Sequence, residues 1–262
     1  MGQRQQDLEK IESALREAEK ALEPFTPGAI EVERKAGGDP VTEADRLVDE
    51  VLKRLLPVEG EGWLSEETVD DHSRLDRERA WIVDPLDGTK EFVQGIPEWC
   101  VSIGLVEDGV PVAGGILSPS TGHLILGSVE TGVTLNGEPV RISRRDTLEH
   151  ATVLASRSEV RRGEWEKFEG RGYRIDASGS VAFKLGLVAA GLADATWTLV
   201  PKNEWDVVGG VALIRAAGGW TEVLDDPERR FNRADPLMAG LIASGPHLEG
   251  PIRAEIEALR SS

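Results

Sequence analysis

Cysteine is nearly absent from this sequence, which has one, Cys100, in 262 residues. A single cysteine can form neither an internal disulfide nor a cysteine-based zinc cluster, and such scarcity is typical of a reducing compartment. Long apolar runs are absent too, because Asp194 interrupts the longest, so we expect no transmembrane helix. The segment from Met1 to Lys20 carries too many charges for a secretory signal peptide, and the sequence therefore favours a cytoplasmic location.

Basic residues are also in deficit, since 30 Lys and Arg stand against 47 Asp and Glu and give a net charge of −17. This deficit disfavours sequence-independent binding to nucleic acid or to an anionic membrane. With 40% hydrophobic residues, a chain of this length can bury a substantial core. The totals indicate one globular unit or two closely packed subdomains.

The N-terminal part predicts helices and then strands. Apolar residues recur at helical spacing over 8–22 and 44–55, and a proline follows each segment. Short apolar runs predict strands at 62–65 and 80–84. Because proline cannot donate to a β-ladder, we expect Pro85 to end the second strand.

The pattern changes in the middle of the chain. Over 101–142, apolar runs separated by turn sequences such as Asn136-Gly137 predict an antiparallel meander. Beyond it, strands and helices alternate, which is typical of layered α/β structure. The elements expected there are strands at 152–155, 195–199 and 220–224 and helices near 159–168, 181–192 and 206–217. We place a boundary near 143–150, which divides the chain into units 1–147 and 148–262.

The segment Asp84-Pro85-Leu86-Asp87-Gly88-Thr89 is the most distinctive in the chain. It places two carboxylates at the end of a buried strand, where Mg²⁺ or Mn²⁺ would relieve their repulsion through oxygen ligands. Gly88 permits a turn, and Thr89 can open a helix whose unpaired N–H groups favour anions. The segment predicts a metal and phosphate site, with a solvated turn before a capped helix as the structural alternative.

Other acidic residues lie at strand ends or helix starts. Glu66 and Glu67 follow a strand, Asp206 opens a helix, and Asp45 completes a capping box that begins at Thr42. Capping alone explains Asp45 and Asp206, and solvated rim charges would explain the two glutamates. A shared function requires these residues to converge in space.

In order and spacing, these motifs resemble the signature of the inositol monophosphatase superfamily. The resemblance covers roughly residues 35–245 and rests on Glu66-Glu67, Asp84 to Thr89, Trp205-Asp206 with Gly209-Gly210, and Val41 to Asp45. It implies a mixed α/β fold, a five-layer αβαβα sandwich of two subdomains, with the active site in the cleft between them.

The resemblance also implies roles for single residues. Two or three Mg²⁺ ions would be bound by Glu66, Asp84, the main-chain oxygen of Leu86, Asp87 and Asp206. Thr89 with Asp45 would orient and deprotonate the attacking water, and Glu67 would support the site. The amides of Gly88 and Thr89 would cradle the phosphate. Paired cations can stabilise the attacking and leaving oxygens of such a hydrolysis, and lithium inhibition is implied by the family alone.

The spacing of the two aspartates argues against another class of phosphatase. Haloacid-dehalogenase-type enzymes separate their aspartates by one residue, whereas Pro85 and Leu86 both lie between Asp84 and Asp87. Attack by water is therefore favoured over attack by a carboxylate. No Walker sequence is present, which disfavours nucleoside triphosphate hydrolysis.

Several positions bear on the substrate. The run from Asp84 to Phe92 resembles the 3′(2′),5′-bisphosphate nucleotidase branch. Lys184 falls where nucleotidase-like members carry a lysine, so it would receive a second phosphate or else snorkel from an apolar helix. Leu199 falls where inositol phosphatases present an acid to the sugar hydroxyls, and the absence of that acid disfavours an inositol phosphate as the substrate.

A second segment bears on the same choice. Ser156-Arg157-Ser158 resembles the Ser-Arg-Ser-His segment of nucleotidases, although Glu159 replaces the histidine. Arg157 would contact a second phosphate or form a structural ion pair.

We therefore predict a magnesium-dependent phosphomonoesterase that removes the 3′-phosphate of adenosine 3′,5′-bisphosphate or a related nucleotide. The partner would be a small phosphate ester, and relatives imply a homodimer. Inositol-1-monophosphatase and fructose 1,6-bisphosphatase activities are the alternatives. A non-catalytic protein that binds divalent cations is a remote one, against which Asp45, Thr89 and Asp206 argue.

Overall fold

Apolar residues at helical spacing form a buried side on each of the first two helices, as the sequence predicts. In the computed structural model, which describes residues 2–34 and 40–260, α1 spans Gln3–Leu22 and α2 spans Glu43–Leu55. Helix α1 ends shortly before Pro24 and α2 ends shortly before Pro57. The remaining helices are α3 (Thr89–Gln94), α4 (Arg157–Arg161), α5 (Val181–Ala189), α6 (Glu204–Ala216) and α7 (Glu249–Arg260). Among the described residues, no helix is long and apolar enough to cross a bilayer.

Seven strands form the first sheet in sequence order, with β3 parallel to β4 and antiparallel pairing thereafter. They are β3 (Gly62–Ser65), β4 (Arg79–Asp87), β5 (Cys100–Glu107), β6 (Val110–Ser118), β7 (His123–Ser128), β8 (Gly132–Leu135) and β9 (Glu138–Pro139). The predicted meander is confirmed.

Five strands form the second sheet: β10 (Thr152–Ser156), β11 (Arg174–Ser178), β12 (Ala195–Thr198), β14 (Trp220–Val223) and β16 (Leu241–Ser244). Their order across the sheet is β11-β10-β12-β16-β14. Two short ribbons complete the strands: β1 (Glu33–Arg34) pairs with β2 (Pro40–Val41), and β13 (Lys202–Asn203) pairs with β15 (Leu237–Met238).

Three apolar clusters hold five layers together. Helices α1 and α2 cover one face of the first sheet, α5 and α6 fill the space between the sheets, and α7 packs on the outer face of the second. The αβαβα arrangement implied by the resemblance is confirmed. The division into units 1–147 and 148–262 stays a prediction.

Pro85 does not end its strand, and that expectation is wrong. Strand β4 continues to Asp87, with Asp84 opposite Ser102 and Asp87 opposite Cys100. Three steps along β4 therefore match two steps along β5, as in a β-bulge. Bulges tolerate proline because the ladder does not require its missing N–H.

The helix expected near 159–168 is also wrong. Helix α4 stops at Arg161, and a separate 3₁₀ turn covers Glu166–Phe168. Gly163 lies between them with φ of +79°, outside the helical region, and interrupts the segment. The sequence patterns did not predict β11, β16 or α7.

Helix α6 packs almost backbone to backbone against the first sheet. A Cβ added to Gly104 in β5 would lie 2.5 Å from Val208 Cγ1 and 2.8 Å from the backbone nitrogen of Gly209. On another side of the helix, a Cβ on Gly210 would collide with Leu185 of α5. The glycine pair of the motif thus sets how closely α6 approaches its neighbours.

We expect Gly104→Ala to lower the free energy of unfolding by about 1–3 kcal/mol, because the added methyl overpacks this contact. Urea denaturation measures the loss. Gly250→Ala is the matched control, because a Cβ there meets nothing within 4 Å and alanine favours the first turn of α7. Equal stability of the two variants would contradict the close packing.

Candidate metal and phosphate site

Parallel pairing of β3 with β4 brings acidic residues to one edge of the first sheet. Ser65, the last residue of β3, pairs with Val83 of β4. The residues that come next on the two strands, Glu66 and Asp84, are therefore neighbours. Helix α6 contributes Asp206 from its first turn.

Carboxylate oxygens of Glu66, Asp84 and Asp206 lie within 4.8 Å of one another. Asp84 is buried, and the other two residues are partly buried. Several carboxylate oxygens in a small space suit a hard divalent cation such as Mg²⁺. The structure thus brings three of the predicted ligands together, and their role as ligands stays a prediction.

The carboxylates interact unfavourably when ionised. Burial raises the pKa of Asp84 well above its usual range, and the charges of Glu66, Asp87 and Asp206 raise it further. Burial, together with the charges of Asp87 and Glu66, raises the pKa of Asp206 to about 8. A bound cation would offset this repulsion and favour the ionised forms.

Asp87 lies outside that group of three and turns one oxygen towards α5. Its Oδ2 accepts hydrogen bonds from Ser180 Oγ at 2.7 Å and from the backbone N–H of Ala182 at 2.6 Å. Burial raises the pKa of Asp87, although these two bonds lower it. Its Oδ1 accepts no bond from a described residue, which leaves that oxygen available to a cation.

Asp45 combines helix capping with a contact to the predicted turn. Its Oδ2 accepts hydrogen bonds from the backbone N–H of Thr42 at 2.8 Å and from the Thr42 hydroxyl at 2.6 Å. Its Oδ1 lies 2.9 Å from Thr89 Oγ1. The same hydroxyl lies 3.1 Å from the main-chain oxygen of Leu86, a predicted metal ligand. Asp45 therefore caps α2 through one oxygen and contacts Thr89 through the other.

A cleft of about 360 Å³ contains most of the predicted site residues. Those that line it are Glu66, Asp84, Leu86, Asp87, Gly88, Thr89, Ser156, Lys184 and Asp206. Asp45 does not line it but accepts a hydrogen bond from Thr89, which does. Glu67 does not line the cleft, and its backbone N–H lies 3.3 Å from Ser65 Oγ.

The two basic residues predicted to bind substrate differ in their placement. Arg157 forms an ion pair with Glu98 and does not line the cleft, which favours its structural role. Lys184 lines the cleft and is only 3% exposed, so it does not snorkel to the surface. Its Nζ donates to the main-chain oxygen of Ser180 at 2.6 Å, and burial lowers the pKa of the ammonium group to about 8.

Sequence reasoning missed two arginines. Arg161 and Arg162, at the end of α4, line the cleft from the side of the second sheet. The sequence pattern places them within a longer charged helix near 159–168. Two adjacent arginines shortly after Ser156-Arg157-Ser158 were the available signal in this acidic chain.

Comparison with known proteins gives one consistent result. Residues 4–258 match the model of the inositol monophosphatase family. The chain is 32% identical over 238 residues to an inositol-1-monophosphatase of Rhizobium meliloti, which covers 87% of this chain and 86% of that protein.

Solved structures agree with the sequence relatives. An inositol monophosphatase from Anabaena (Nostoc) superposes with a TM-score of 0.79 at 26% identity, covering 97% of this chain and 96% of the other. CysQ from Bacteroides thetaiotaomicron, a bacterial member of the same family, superposes with a TM-score of 0.73 at 30% identity, covering 93% and 98%.

The raised carboxyl pKa values predict how the stability of the metal-free protein depends on pH. The pKa of Asp206 is about 8 in the fold and about 3.9 when unfolded. The folded state therefore holds a proton that the unfolded state releases, and stability falls as pH rises from about 4 to about 8. We expect the Tm in EDTA to fall by at least about 3 °C between about pH 5.5 and about pH 8. Added Mg²⁺ should reduce this fall.

Asp206→Asn provides the comparison, because asparagine cannot titrate. Its Tm should vary less with pH than that of the unchanged protein in EDTA. Burial also lowers the pKa of Lys184 to about 8, but the resulting change in stability occurs above that pH. A Tm that rises from about pH 5.5 to about pH 8 in EDTA would contradict the electrostatic description.

Proposed function

Because the chain belongs to the inositol monophosphatase family, whose members are magnesium-dependent phosphatases, we propose that it hydrolyses the 3′-phosphate of adenosine 3′,5′-bisphosphate or a related nucleotide. The observation that carries this proposal is the basic lining of the cleft on the side of the second sheet.

The donor set fits magnesium. Glu66, Asp84 and Asp206 offer converging oxygens, and Asp87 keeps one oxygen unpaired among the described residues. These four carboxylates, with the Leu86 carbonyl, would hold the ions. When bound, magnesium supplies Lewis-acid stabilisation of charge on the phosphoryl group and activates the nucleophilic water.

Thr89 and Asp45 form the chain's own route for a proton. Because two hydrogen bonds from Thr42 fix Asp45 Oδ2, the other oxygen is held facing Thr89 Oγ1. The threonine hydroxyl can donate its proton to Asp45 Oδ1, and its oxygen can then accept a hydrogen bond from water. The pair would orient the nucleophile and help to remove its proton.

Gly88 and Thr89 would bind the phosphate through their backbone. Gly88 caps α3 with φ of +98°, and a Cβ there would lie 3.1 Å from the carbonyl oxygen of Glu98. Only glycine adopts this turn readily, and the turn places the backbone N–H groups of Gly88 and Thr89 at the start of α3. These groups would stabilise the phosphoryl oxygens.

Basic residues on the other side of the cleft suit a second anionic group. Arg161, Arg162, Lys184 and Lys202 all line it. Arg162 pairs with Glu164, and Lys202 lies 3.8 Å from buried Glu159. Arg161 has no ion-pair partner among the described residues, and a guanidinium group can bind a phosphate through two hydrogen bonds. A bisphosphate would place one phosphate at the acidic cluster and the other near these cations.

The environment of Leu199 supports a substrate other than inositol phosphate. Leu199 packs with the outer apolar cluster and does not line the cleft. The nearby acid Glu159 is 2% exposed and already accepts hydrogen bonds from Trp165 and Thr198. Neither residue offers an exposed carboxylate to sugar hydroxyls.

Inositol 1-phosphate hydrolysis is the second candidate. Sequence similarity to the inositol-1-monophosphatases of Rhizobium meliloti and Mesorhizobium japonicum, and to inositol monophosphatase 1 of Solanum lycopersicum, favours this activity. A cleft that accepts a nucleotide has room for a cyclitol phosphate, so activity must separate the two substrates.

With Mg²⁺, we expect kcat/KM for adenosine 3′,5′-bisphosphate to exceed that for inositol 1-phosphate by at least about tenfold. The physical reason is the pairing of its second phosphate with the basic lining. Phosphate release from these two substrates and from fructose 1,6-bisphosphate provides the measurement. Faster turnover of inositol 1-phosphate would select the second candidate.

Arg161→Gln tests the basic side of the cleft within the same assay. The KM for adenosine 3′,5′-bisphosphate should rise about fivefold or more, while the KM for adenosine 3′-monophosphate should stay within about twofold. An equal effect on both nucleotides would show that Arg161 does not bind the second phosphate. Arg144→Gln, which removes an exposed charge outside the cleft, is the matched control.

Thr89→Ala should lower kcat by about 10²–10⁴-fold, the usual contribution of acid–base catalysis, because Asp45 then loses its route to the water. Thr89→Ser keeps the hydroxyl and should keep most of the activity. Mg²⁺ affinity, measured by calorimetry, should change little in either variant. Wild-type kcat in Thr89→Ala would remove this residue from the mechanism.

A further inference from the structure

A second cavity, of about 210 Å³, lies where the β5–β6 turn meets the end of α6 and the loop after β14. It shares no lining residue with the cleft. Three arginines line it, Arg215, Arg229 and Arg230, against one carboxylate, Glu228. The chain as a whole has a net charge of −17, whereas the residues that line this cavity carry a net positive charge.

Arg229 is the buried member of this group. Its side chain is 7% exposed, and its Nη2 donates to Glu204 Oε1 at 3.1 Å and to the main-chain oxygen of Asp235 at 3.2 Å. Its Nε is buried without a hydrogen-bond partner among the described residues. Nη1 also donates to no described residue. Because Nε is sealed from solvent, the N–H groups of Nη1 are the donors that this guanidinium group can offer to an acceptor in the cavity.

The other two arginines also retain free donors. Arg230 uses one nitrogen, Nη1, to donate to the main-chain oxygen of Asp108 at 2.6 Å. The exposed side chain of Arg215 has no ion pair or hydrogen bond with a described residue. Thr221 belongs to the same lining. The cavity thus contains several guanidinium donors that no described residue uses.

We propose that this cavity binds a small tetrahedral oxyanion of the phosphate class. Planar guanidinium groups match the oxygens of such an ion and hold it with charge-assisted hydrogen bonds. The volume is below the roughly 300–1,000 Å³ of sites for drug-sized ligands, which favours a small ion. The site is separate from the proposed phosphatase reaction and does not depend on its substrate.

Calorimetric titration of the full chain with inorganic phosphate, in EDTA, tests the proposal. We expect saturable binding that weakens at least about tenfold in the double variant Arg215→Gln/Arg230→Gln. Titration with glycerol phosphate should give the same dependence on these arginines if the site recognises the phosphoryl group. Phosphatase activity with Mg²⁺ should remain within about twofold in the double variant, which shows that it folds.

Two single variants locate the binding. Arg144→Gln removes an exposed charge elsewhere, and Arg161→Gln removes a cation of the cleft. Both should keep the phosphate affinity of the unchanged protein. Loss of binding in Arg161→Gln, unchanged affinity in the double variant, or no saturable binding in the unchanged protein would each overturn the cavity site, whatever the outcome of the substrate assays.

Discussion

Repulsion among acidic side chains at one sheet edge is the constraint on which the candidate site depends. Asp84 is buried among other carboxylates, so burial and like charges both disfavour its ionised form. The fold nevertheless holds the group together, because strand pairing fixes Glu66 beside Asp84 and the packing of α6 fixes Asp206. The energy that keeps these charges close comes from apolar burial elsewhere in the structure.

Backbone N–H groups stabilise three of these aspartates in the same way. Asp45 accepts from Thr42, Asp87 from Ala182 and Asp206 from Asn203, each at the start of a helix, through a single oxygen. A helix start has spare N–H groups and a partial positive charge, so it stabilises a carboxylate there. The second oxygen of each residue stays free of the cap. Capping through one oxygen therefore leaves the other oxygen of the same side chain available to a ligand.

The position of α6 has its own support. Gly104 and Gly209 allow the helix to approach β5 closely. At its first turn, the fully buried Glu204 pairs with Arg229 and accepts a hydrogen bond from the backbone N–H of Asn232. Asp206 lies two residues further along. Packing along the helix and anchoring at its start together determine where this carboxylate lies.

Much of the fold could be predicted from local patterns, but the site could be predicted only in part. Helical periodicity gave α1 and α2, and turn sequences gave the meander, because these signals are local. The continuation of β4 through Pro85 could not be predicted, because a bulge depends on the partner strand. The predicted helix over 159–168 is wrong because Gly163 interrupts it with a positive φ.

Convergence is a tertiary property, so no periodicity could bring Glu66 and Asp206 together. The resemblance to a known family, which rests on the order and spacing of the motifs, predicted that these residues converge. The structure places their carboxylate oxygens close to each other. No motif pointed to Arg161, because its place in the lining of the cleft depends on the position of α4 relative to the first sheet.

The distribution of charge explains why the average composition predicts little about small ligands. A net charge of −17 disfavours polyanionic partners, which sense the whole surface. At physiological ionic strength, exposed charges more than about 8 Å apart are largely screened from each other. A small phosphate ester therefore senses mainly the residues that line its own cleft. There the acids lie at the edge of the first sheet and Arg161 lies on the side of the second, so the cleft presents negative charge at one end and positive charge at the other.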